Sequence, residues 1–374
     1  MESQRTPPAG GVRAWLAATG RAEERRETEQ QRESPAMPRE LTVALVGATG
    51  VVGAEFLRLM EERQLPVAEL RALATKRSAG RTLTFQGNEI TVQETTHDAF
   101  DGADIAFISA TTEASQELCP VARDRGAIAF DDSSAWRLDP DVPLVVPELN
   151  GEDLRHHKGI IATPNCSTVP LVLALGPLMR EREVKRVIAD TYQSVSGAGT
   201  AAMAELREQT AAVLAGEPVI VKEAPKQIAF NAIPQVDVFL EDGYTKEETK
   251  MVNESRKILH LPDLALSATC VRIPTLISHG VAVHVEFDRP LDPAEARELW
   301  SKQAGLTVVD DPVNGGYPTP LDSAAQDAVF VGRARRDASH PNGLAFWCVT
   351  DNLVKGAALN MVQMVEWMQA DGLL

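Results

Sequence analysis

The residue best suited to covalent chemistry is Cys166, in the segment TPNCSTVPLVLAL. It follows the apolar run GIIA (159–162) and precedes an apolar helical run, which predicts a strand, then the cysteine, then a helix. Asn165, Ser167 and Thr168 are residue types that cap helix N-termini. A helix N-terminus favours the reactive thiolate, and its N–H groups can stabilise an oxyanion. The pattern predicts a thiol nucleophile; the alternative is a buried, inert cysteine.

The other three cysteines, Cys119, Cys270 and Cys348, are predicted to be small buried apolar residues. The four cysteines form no CxxC pair, so we expect neither a disulfide framework nor a zinc site, and no bound metal. This cysteine usage is typical of a reducing cytoplasm.

A glycine turn near residue 50 predicts a nucleotide site. The apolar run LTVALV (41–46) is followed by GATGVVG, with Gly47, Gly50 and Gly53, and then by the helical pattern AEFLRLMEER. Strand, glycine turn and helix form the context of a dinucleotide fingerprint, in which the pyrophosphate lies on the helix N-terminus. The alternative is an ordinary connection between a strand and a helix. Three further residues of this turn are candidate cofactor contacts: Thr49, Val51 and Val52.

The end of the next predicted strand, ELRALAT (69–75), indicates which cofactor binds. NAD-specific folds usually place an acidic residue there, whereas this chain has Lys76, Arg77 and Ser78. A guanidinium can grip a 2′-phosphate through two hydrogen bonds, so Arg77 and Ser78 favour NADP. The alternative is that these cations are only solvated.

Further apolar runs predict a parallel sheet with helices between its strands. The predicted strands are DIAFISA (104–110), AIAFDDS (127–133) and PLVVPELN (143–150). Ligands of such sheets bind at the carboxyl ends of the strands, where Ser109 is a candidate cofactor contact. Later strands are predicted at VKRVIADTYQSV, ALSATCVRI and GVAVHVEF, with helices at AAMAELREQTAAVLAG and PAEARELWSKQAG.

The bulk composition excludes several classes of protein. The chain has 374 residues, 44% hydrophobic and 24% charged, which suits about two globular domains. Its formal net charge of -16 argues against a nucleic-acid or anionic-membrane binder. No apolar run approaches the roughly 20 residues that span a bilayer. Residues 1–36 are rich in Arg, Glu, Gln and Pro, so we predict a disordered extension, and Met37 is an alternative start.

Several segments together carry a resemblance to one family. They are NCST, TYQSVSGAG, FNAIPQVDVF (230–239), YTKEETKM (244–251), RIPTLISHG (272–280), VFVGRARRD (329–337) and DNLVKGAALN (351–360). Because these segments occur in this order and with this spacing, the chain resembles the bacterial aspartate-semialdehyde dehydrogenase family from about residue 40 to its C-terminus. The resemblance implies an α/β fold: a Rossmann-type NADP-binding domain and an α+β catalytic and dimerisation domain of the glyceraldehyde-3-phosphate-dehydrogenase-like kind. We expect the first in 37–165 with 345–374, and the second in 166–344.

The resemblance also implies roles for individual residues. Cys166 would be the nucleophile, His279 the acid/base that handles the thiohemiacetal proton, and Gln193 a group that orients the substrate. Arg272 would bind the substrate carboxylate and Glu247 its amino group. Phosphate would be held by Arg137, Asn165 and Lys250. Further cofactor contacts would be Ser196, Gly197 and Asn352.

These residues also have non-catalytic interpretations. His279 could be a core histidine, Arg272 a surface cation and Arg137 a loop residue. Glu247 and Lys250 could be an exposed i,i+3 pair, and the adjacent Glu248 could replace Glu247.

The implied activity is the reversible NADPH-dependent reduction of L-aspartyl-4-phosphate to L-aspartate-4-semialdehyde, in lysine, threonine, methionine and diaminopimelate biosynthesis. The resemblance implies a cytoplasmic homodimer or homotetramer whose partners are small molecules, with no nucleic acid and no membrane. Three alternatives remain: an N-acetyl-glutamyl-phosphate reductase, a CoA-thioester reductase, and a non-catalytic binding homologue. EETK together with RIPTLISHG favours the free-amine substrate.

Overall fold

The first apolar runs of the chain form one parallel sheet. The computed structural model describes residues 39–374, so the expected extension at 1–36 and the alternative start at Met37 lie outside the described residues. The strands follow one another across this sheet in the order β5-β2-β1-β6-β7-β8. Their bounds are β1 Leu41–Val46, β2 Val67–Ala74, β5 Gln93–Glu94, β6 Ile105–Ile108, β7 Ile128–Asp131 and β8 Ile160–Ala162, and a separate hairpin pairs β3 Thr82–Phe85 with β4 Asn88–Thr91.

The central strands of this sheet are buried on both faces, as near-continuous apolar runs predict. All four residues of β6 are buried, and β1 pairs in parallel with both β2 and β6. Two helices accompany these strands along the chain: α1 Val51–Glu62 and α2 Thr112–Asp124. The predicted Rossmann-type sheet is therefore confirmed.

The strand predicted at 143–150 is wrong. Only Leu144 makes a parallel bridge, to Ala162, and Pro147 begins the short helix α3 Pro147–Asn150. Proline cannot donate to a strand ladder but is well suited to the first position of a helix, so Pro147 ends the extended segment. A 3-10 turn, Gly151–His156, then leads toward β8.

The second half of the chain forms a mixed sheet. Its strands are β9 Val184–Gln193, β10 Leu266–Arg272, β11 His279–Phe287, β12 Leu306–Val308, β13 Val329–Arg336 and β14 Gly343–Thr350. They follow one another across the sheet in the order β10-β9-β11-β14-β13-β12. Burial alternates along β11, as its sequence predicts for a strand with one buried face. The helices of this half are α4 Thr168–Glu181, α5 Thr200–Ala215, α6 Lys246–Ile258, α7 Pro293–Ser301 and α8 Pro320–Ser323.

After β14 the chain returns to the first sheet. A π-helical turn, Val354–Ala358, leads into α9 Leu359–Ala370, whose apolar side chains share a core with those of β1 and α1. Lys355 in this turn is fully buried and pairs with Glu148 at 2.8 Å. That ion pair ties the returning segment to α3. No helix between residues 39 and 374 is long and apolar enough to cross a membrane.

Candidate active site

Three of the predicted site residues lie in one row across adjacent strands of the second sheet. In the strand register Gln193 at the end of β9 is opposite Arg272 at the end of β10 and opposite His279 at the start of β11. Residues directly opposite one another place their side chains on the same face of a sheet. The register thus brings a cation, an amide and an imidazole together.

Cys166 lies between β8 and the N-terminus of α4, where the sequence predicts it. Asn165 forms the local turn: its Oδ1 accepts the Ser167 backbone N–H at 2.8 Å, and its carbonyl accepts that of Thr168 at 2.9 Å. On the other side is Gly356 of the π-helical turn, where a Cβ would lie 2.9 Å from Cys166 Cβ. A larger side chain at Gly356 would therefore displace the thiol.

The predicted preference for the thiolate is wrong for the free site. Burial, followed by the negative charge of Glu247, raises the pKa of Cys166 to about 12, although Arg137 and Arg272 act in the opposite direction. The free protein therefore holds Cys166 as a thiol at neutral pH, and deprotonation must accompany the reaction.

This raised pKa predicts a steep pH dependence of alkylation at Cys166. Below the pKa, the thiolate fraction and hence the rate with iodoacetamide should rise about tenfold per pH unit from pH 6 to pH 9. Mass spectrometry of quenched samples measures the rate at this residue. A rate that reaches its plateau near pH 7 would contradict the prediction.

His279 is fully buried, and its ring is held by the chain segment after β9. The Ser194 backbone N–H donates to Nδ1 at 3.0 Å, so the neutral ring carries its proton on Nε2, which has no partner among the described residues. Burial, followed by the charge of Arg272, lowers the pKa of His279 to about 3. A Cβ on Gly197 would lie 3.1 Å from both Nε2 and Arg272 Nη1, so a glycine there leaves room beside both groups. The neutral imidazole can therefore donate a hydrogen bond into the site.

Glu247 connects the loop that carries Cys166 to Gln193 at the end of β9. Its Oε1 accepts Asn165 Nδ2 at 2.9 Å and Gln193 Nε2 at 3.1 Å, and its Oε2 pairs with Lys250 at 3.1 Å. Its side chain is only 7% exposed, so the interpretation as an exposed helical pair is wrong. Glu248 serves a different purpose: it accepts the backbone N–H groups of Thr245 and Cys270 and caps α6.

The two predicted substrate-binding arginines are anchored differently. Arg272 is half-buried, and its Nη1 donates to the Ser194 carbonyl at 2.6 Å. Arg137 is buried and donates to Glu254 Oε1 at 3.0 Å and to the Asp132 carbonyl at 2.8 Å. Both arginines therefore donate hydrogen bonds within the protein, and neither is an unpaired cation on the surface.

The glycine turn has the form that a nucleotide site needs. Gly47 has φ +82°, and a Cβ there would lie 2.1 Å from the Ser109 carbonyl oxygen. A Cβ on Gly53 would lie 2.3 Å from the Gly47 carbonyl oxygen, so the turn packs tightly under α1. Gly50 precedes α1 with no side-chain cap, which leaves N–H groups of Thr49, Val51 and Val52 near an open helix N-terminus.

The remaining predicted cofactor contacts lie at two places. Ser196 Oγ donates to Asn352 Oδ1 at 3.0 Å, close to His279 and Gly197. Arg77 and Ser78 instead lie in the turn after β2, and Arg77 is exposed. Three strands separate β2 from β8 in the sheet, or about 19 Å at the usual strand spacing. The structure therefore does not bring Arg77 to the thiol.

Comparisons with known proteins identify one family. Residues 42–157 match the family model described as semialdehyde dehydrogenase, NAD binding domain, and residues 175–355 match semialdehyde dehydrogenase, dimerisation domain. The chain is 48% identical to aspartate-semialdehyde dehydrogenase of Aquifex aeolicus over 336 residues, covering 89% of this chain and 99% of that protein. The Bacillus subtilis enzyme is 48% identical over 338 residues, covering 88% and 98%.

The chain belongs to the aspartate-semialdehyde dehydrogenase family. A crystal structure of the second such enzyme of Vibrio cholerae, complexed with ASA, superposes with a TM-score of 0.87 at 41% identity, covering 89% of this chain and 99% of that one. The predicted family and fold class are therefore confirmed. The assignment of individual residues within this dehydrogenase stays a prediction.

Sequence reasoning missed four residues of the site. Ser194 holds His279 through its backbone, which no side-chain pattern reveals. Ser278 has φ +76°, an uncommon conformation for serine, and its N–H donates to Asn352 Oδ1 at 2.9 Å. Gly356 lies against Cys166 only because the returning chain passes there. Glu254 is seven residues after Glu247 in α6, and that helical spacing was a signal that could have found it.

Proposed function

We propose that this protein is an NADP-dependent aspartate-semialdehyde dehydrogenase that acts through a Cys166 thioester. It interconverts L-aspartyl-4-phosphate and L-aspartate-4-semialdehyde, a step in the biosynthesis of lysine, threonine, methionine and diaminopimelate. The observation that carries the residue assignment is that Glu247 accepts hydrogen bonds from both Asn165 and Gln193. Asn165 directly precedes Cys166 before a helix N-terminus, and Gln193 lies in the row with Arg272 and His279. NADP, when bound, accepts or returns the hydride.

Substrate recognition follows from two opposite charges. Arg272 offers a guanidinium with N–H groups beyond the one given to Ser194, and guanidinium and carboxylate match in a two-pronged contact. Glu247 offers a carboxylate for the substrate ammonium, and its pKa is lowered because Lys250 and the hydrogen bonds from Asn165 and Gln193 outweigh burial. Gln193 lies opposite Arg272 in the strand register, donates to Glu247 Oε1, and fixes the orientation of the reacting carbon.

The covalent step uses Cys166 and His279. After the thiol releases its proton to solvent, the Cys166 thiolate forms a bond to the aldehyde carbon, and the carbonyl π pair becomes an oxyanion. His279 Nε2–H donates to that oxygen, as the Ser194 bond at Nδ1 requires. Loss of hydride from the same carbon restores the carbonyl and leaves a thioester. A base at Nε2 would need the ring proton to move to Nδ1, which would break the Ser194 contact.

Phosphate then cleaves the thioester. A phosphate oxygen bonds to the acyl carbon, the carbon–sulfur bond breaks, and Cys166 leaves as the thiolate. Arg137, Asn165 and Lys250 would hold this anion. In support, Lys250 has its pKa raised because the carboxylates of Glu247 and Asp237 outweigh its burial, so it stays a cation.

The residues around the glycine turn fit a dinucleotide. Gly47 and Gly53 keep the backbone open where side chains would collide, and the uncapped α1 N-terminus suits a pyrophosphate. Ser109, Ser196, Gly197 and Asn352 would contact the rest of the cofactor, with Arg77 and Ser78 at the 2′-phosphate.

Replacing Arg77 with alanine is expected to weaken NADP binding by about tenfold or more while NAD binding changes less than twofold, since one charged hydrogen-bonding group contributes about 1.5–3 kcal/mol. Fluorescence titration of both cofactors measures this difference. Arg81, another exposed cation directly after the same turn, provides the control variant Arg81→Ala. Equal losses for the two cofactors would remove Arg77 from the 2′-phosphate site.

The larger organisation follows the family. We propose an NADP-binding domain in 37–165 with 345–374 and a catalytic domain in 166–344. Dimerisation through the second domain is supported by its match to a dimerisation domain, and a homodimer in the cytoplasm is our proposal.

The function is tested by NADP reduction with purified protein and L-aspartate-4-semialdehyde, with and without phosphate. Phosphate-dependent reduction is expected, because phosphate must cleave the thioester for a second turnover. Absence of reduction, with NADP binding confirmed by titration, would contradict the proposal.

A further inference from the structure

The buried carboxylate of Glu254 contacts two parts of the site, Arg137 and the loop that carries Cys166. Glu254 lies in α6 two turns after Glu247, and its side chain is 2% exposed. Its Oε1 accepts Arg137 Nη1 at 3.0 Å, and its Oε2 accepts the Asn165 backbone N–H at 2.6 Å. One carboxylate thus contacts the arginine assigned to phosphate and the residue before the nucleophile.

Asn165 is held from two sides by the same helix. Glu247 accepts its side-chain amide, and Glu254 accepts its backbone N–H. Residues seven apart lie on one face of a helix, so α6 presents both carboxylates to the same loop. The position of Cys166 therefore depends on two contacts to the preceding residue.

Arg137 depends on the same carboxylate. Burial alone would lower the pKa of Arg137, but the charges of Glu254 and Asp132 outweigh it and raise that pKa. Nη1 of Arg137 donates to Glu254 and Nη2 donates to the Asp132 carbonyl, whereas Nε has no partner among the described residues. The guanidinium is fixed in orientation and keeps N–H groups for another anion.

We infer that Glu254 is a positioning residue. It fixes the position of Arg137, the proposed phosphate ligand, relative to the loop that carries Cys166. This inference rests on the proposed function, because it takes Arg137 as a phosphate ligand and Cys166 as the nucleophile. Through Arg137, Glu254 determines how tightly phosphate binds. Through Asn165, it determines how well the thiol is placed for attack.

Glutamine at position 254 cannot accept hydrogen bonds from both partners of Glu254. Both partners are donors, so each needs one acceptor oxygen. Glutamine supplies one oxygen and one NH2 group, and the NH2 group faces a donor whichever way the amide is turned. Aspartate keeps both acceptors on a shorter side chain and should act as a partial replacement.

The test is the kinetics of full-length Glu254→Gln and Glu254→Asp, with inorganic phosphate as the varied substrate. We expect Glu254→Gln to raise the KM for phosphate and lower kcat, each by about ten- to a hundredfold, because small misplacements of reacting groups cost that much. The KM for the semialdehyde should stay within about twofold. Glu254→Asp should recover part of both losses. In an Arg137→Ala background, Glu254→Gln should no longer change the KM for phosphate but should still lower kcat.

Glu248→Gln is the matched control. Glu248 is another buried carboxylate of α6 that accepts two backbone N–H groups, at Thr245 and Cys270. Its variant should lower the melting temperature without changing the KM for phosphate. If Glu254→Gln behaves like this control, the inference is overturned, as it is if Arg137→Ala raises the phosphate KM and Glu254→Gln does not. An unchanged phosphate KM in Arg137→Ala would instead reject the proposed role of Arg137 itself.

Discussion

Replacing Cys166 with serine is expected to lower kcat by about 10⁴-fold or more and to leave NADP binding unchanged. Loss of a covalent nucleophile costs this much in comparable enzymes, because a neutral hydroxyl is a far weaker nucleophile than a thiolate. The substitution is nearly isosteric, which matters because Gly356 packs directly against this residue. Steady-state rates in both directions and an NADP titration measure the two effects.

Cys119→Ala serves as the matched control for the loss of a thiol. Cys119 is a fully buried core residue of α2 and is not among the residues proposed to contact substrate or cofactor. Its variant should turn over at the wild-type rate, with a lower melting temperature at most. Normal activity in Cys166→Ser would overturn the thioester mechanism. Loss of NADP binding in that variant would show that the substitution disturbs more than the nucleophile.

Replacing Arg272 with alanine is expected to raise the KM for the semialdehyde by about a hundredfold, because a two-pronged charged contact contributes roughly 3 kcal/mol. A smaller decrease in kcat is also expected. Arg272 donates to the Ser194 carbonyl, and the N–H of the same residue fixes the His279 ring. The KM for phosphate should change little, since the proposed phosphate ligands lie elsewhere.

Arg186→Ala is the control for loss of an arginine from this sheet. Arg186 lies on β9 and pairs with Glu286, and its side chain is 54% exposed. Surface pairs of this kind contribute little, so its kinetics should match the wild type. A semialdehyde KM that is unchanged in Arg272→Ala would remove Arg272 from the substrate site.

The sequence predicted those features that depend on local patterns. Apolar runs of the right length indicated the parallel sheet, and the glycine turn and the helix after Cys166 lie where strand and helix periods place them. Pro147 shows the limit of this reasoning. The run around it is apolar enough for a strand, yet the missing N–H converts it into the start of a helix.

The relations between distant residues could not be predicted from such patterns. The helix N-terminus alone predicts a thiolate at Cys166, whereas its pKa depends on burial and on Glu247, 81 positions later in the chain. The proton position on His279 depends on a backbone N–H at Ser194, and backbone groups have no signature in a sequence. The helical spacing from Glu247 places Glu254 on the same face of α6, but only its contacts reveal that it binds Arg137 and the Asn165 backbone.

The return of the chain to the first sheet also constrains the order in which the protein can be completed during synthesis. The core that contains Leu45 and Phe56 also contains Met361 and Val365 of α9. About 200 residues separate the end of β8 from the start of α9, so at typical elongation rates the ribosome needs about 10 to 40 seconds to supply that helix. Until then, in the native arrangement, one face of the nascent nucleotide-binding half has no cover. The nucleotide-binding half is the first to be synthesised, but its hydrophobic core is completed last.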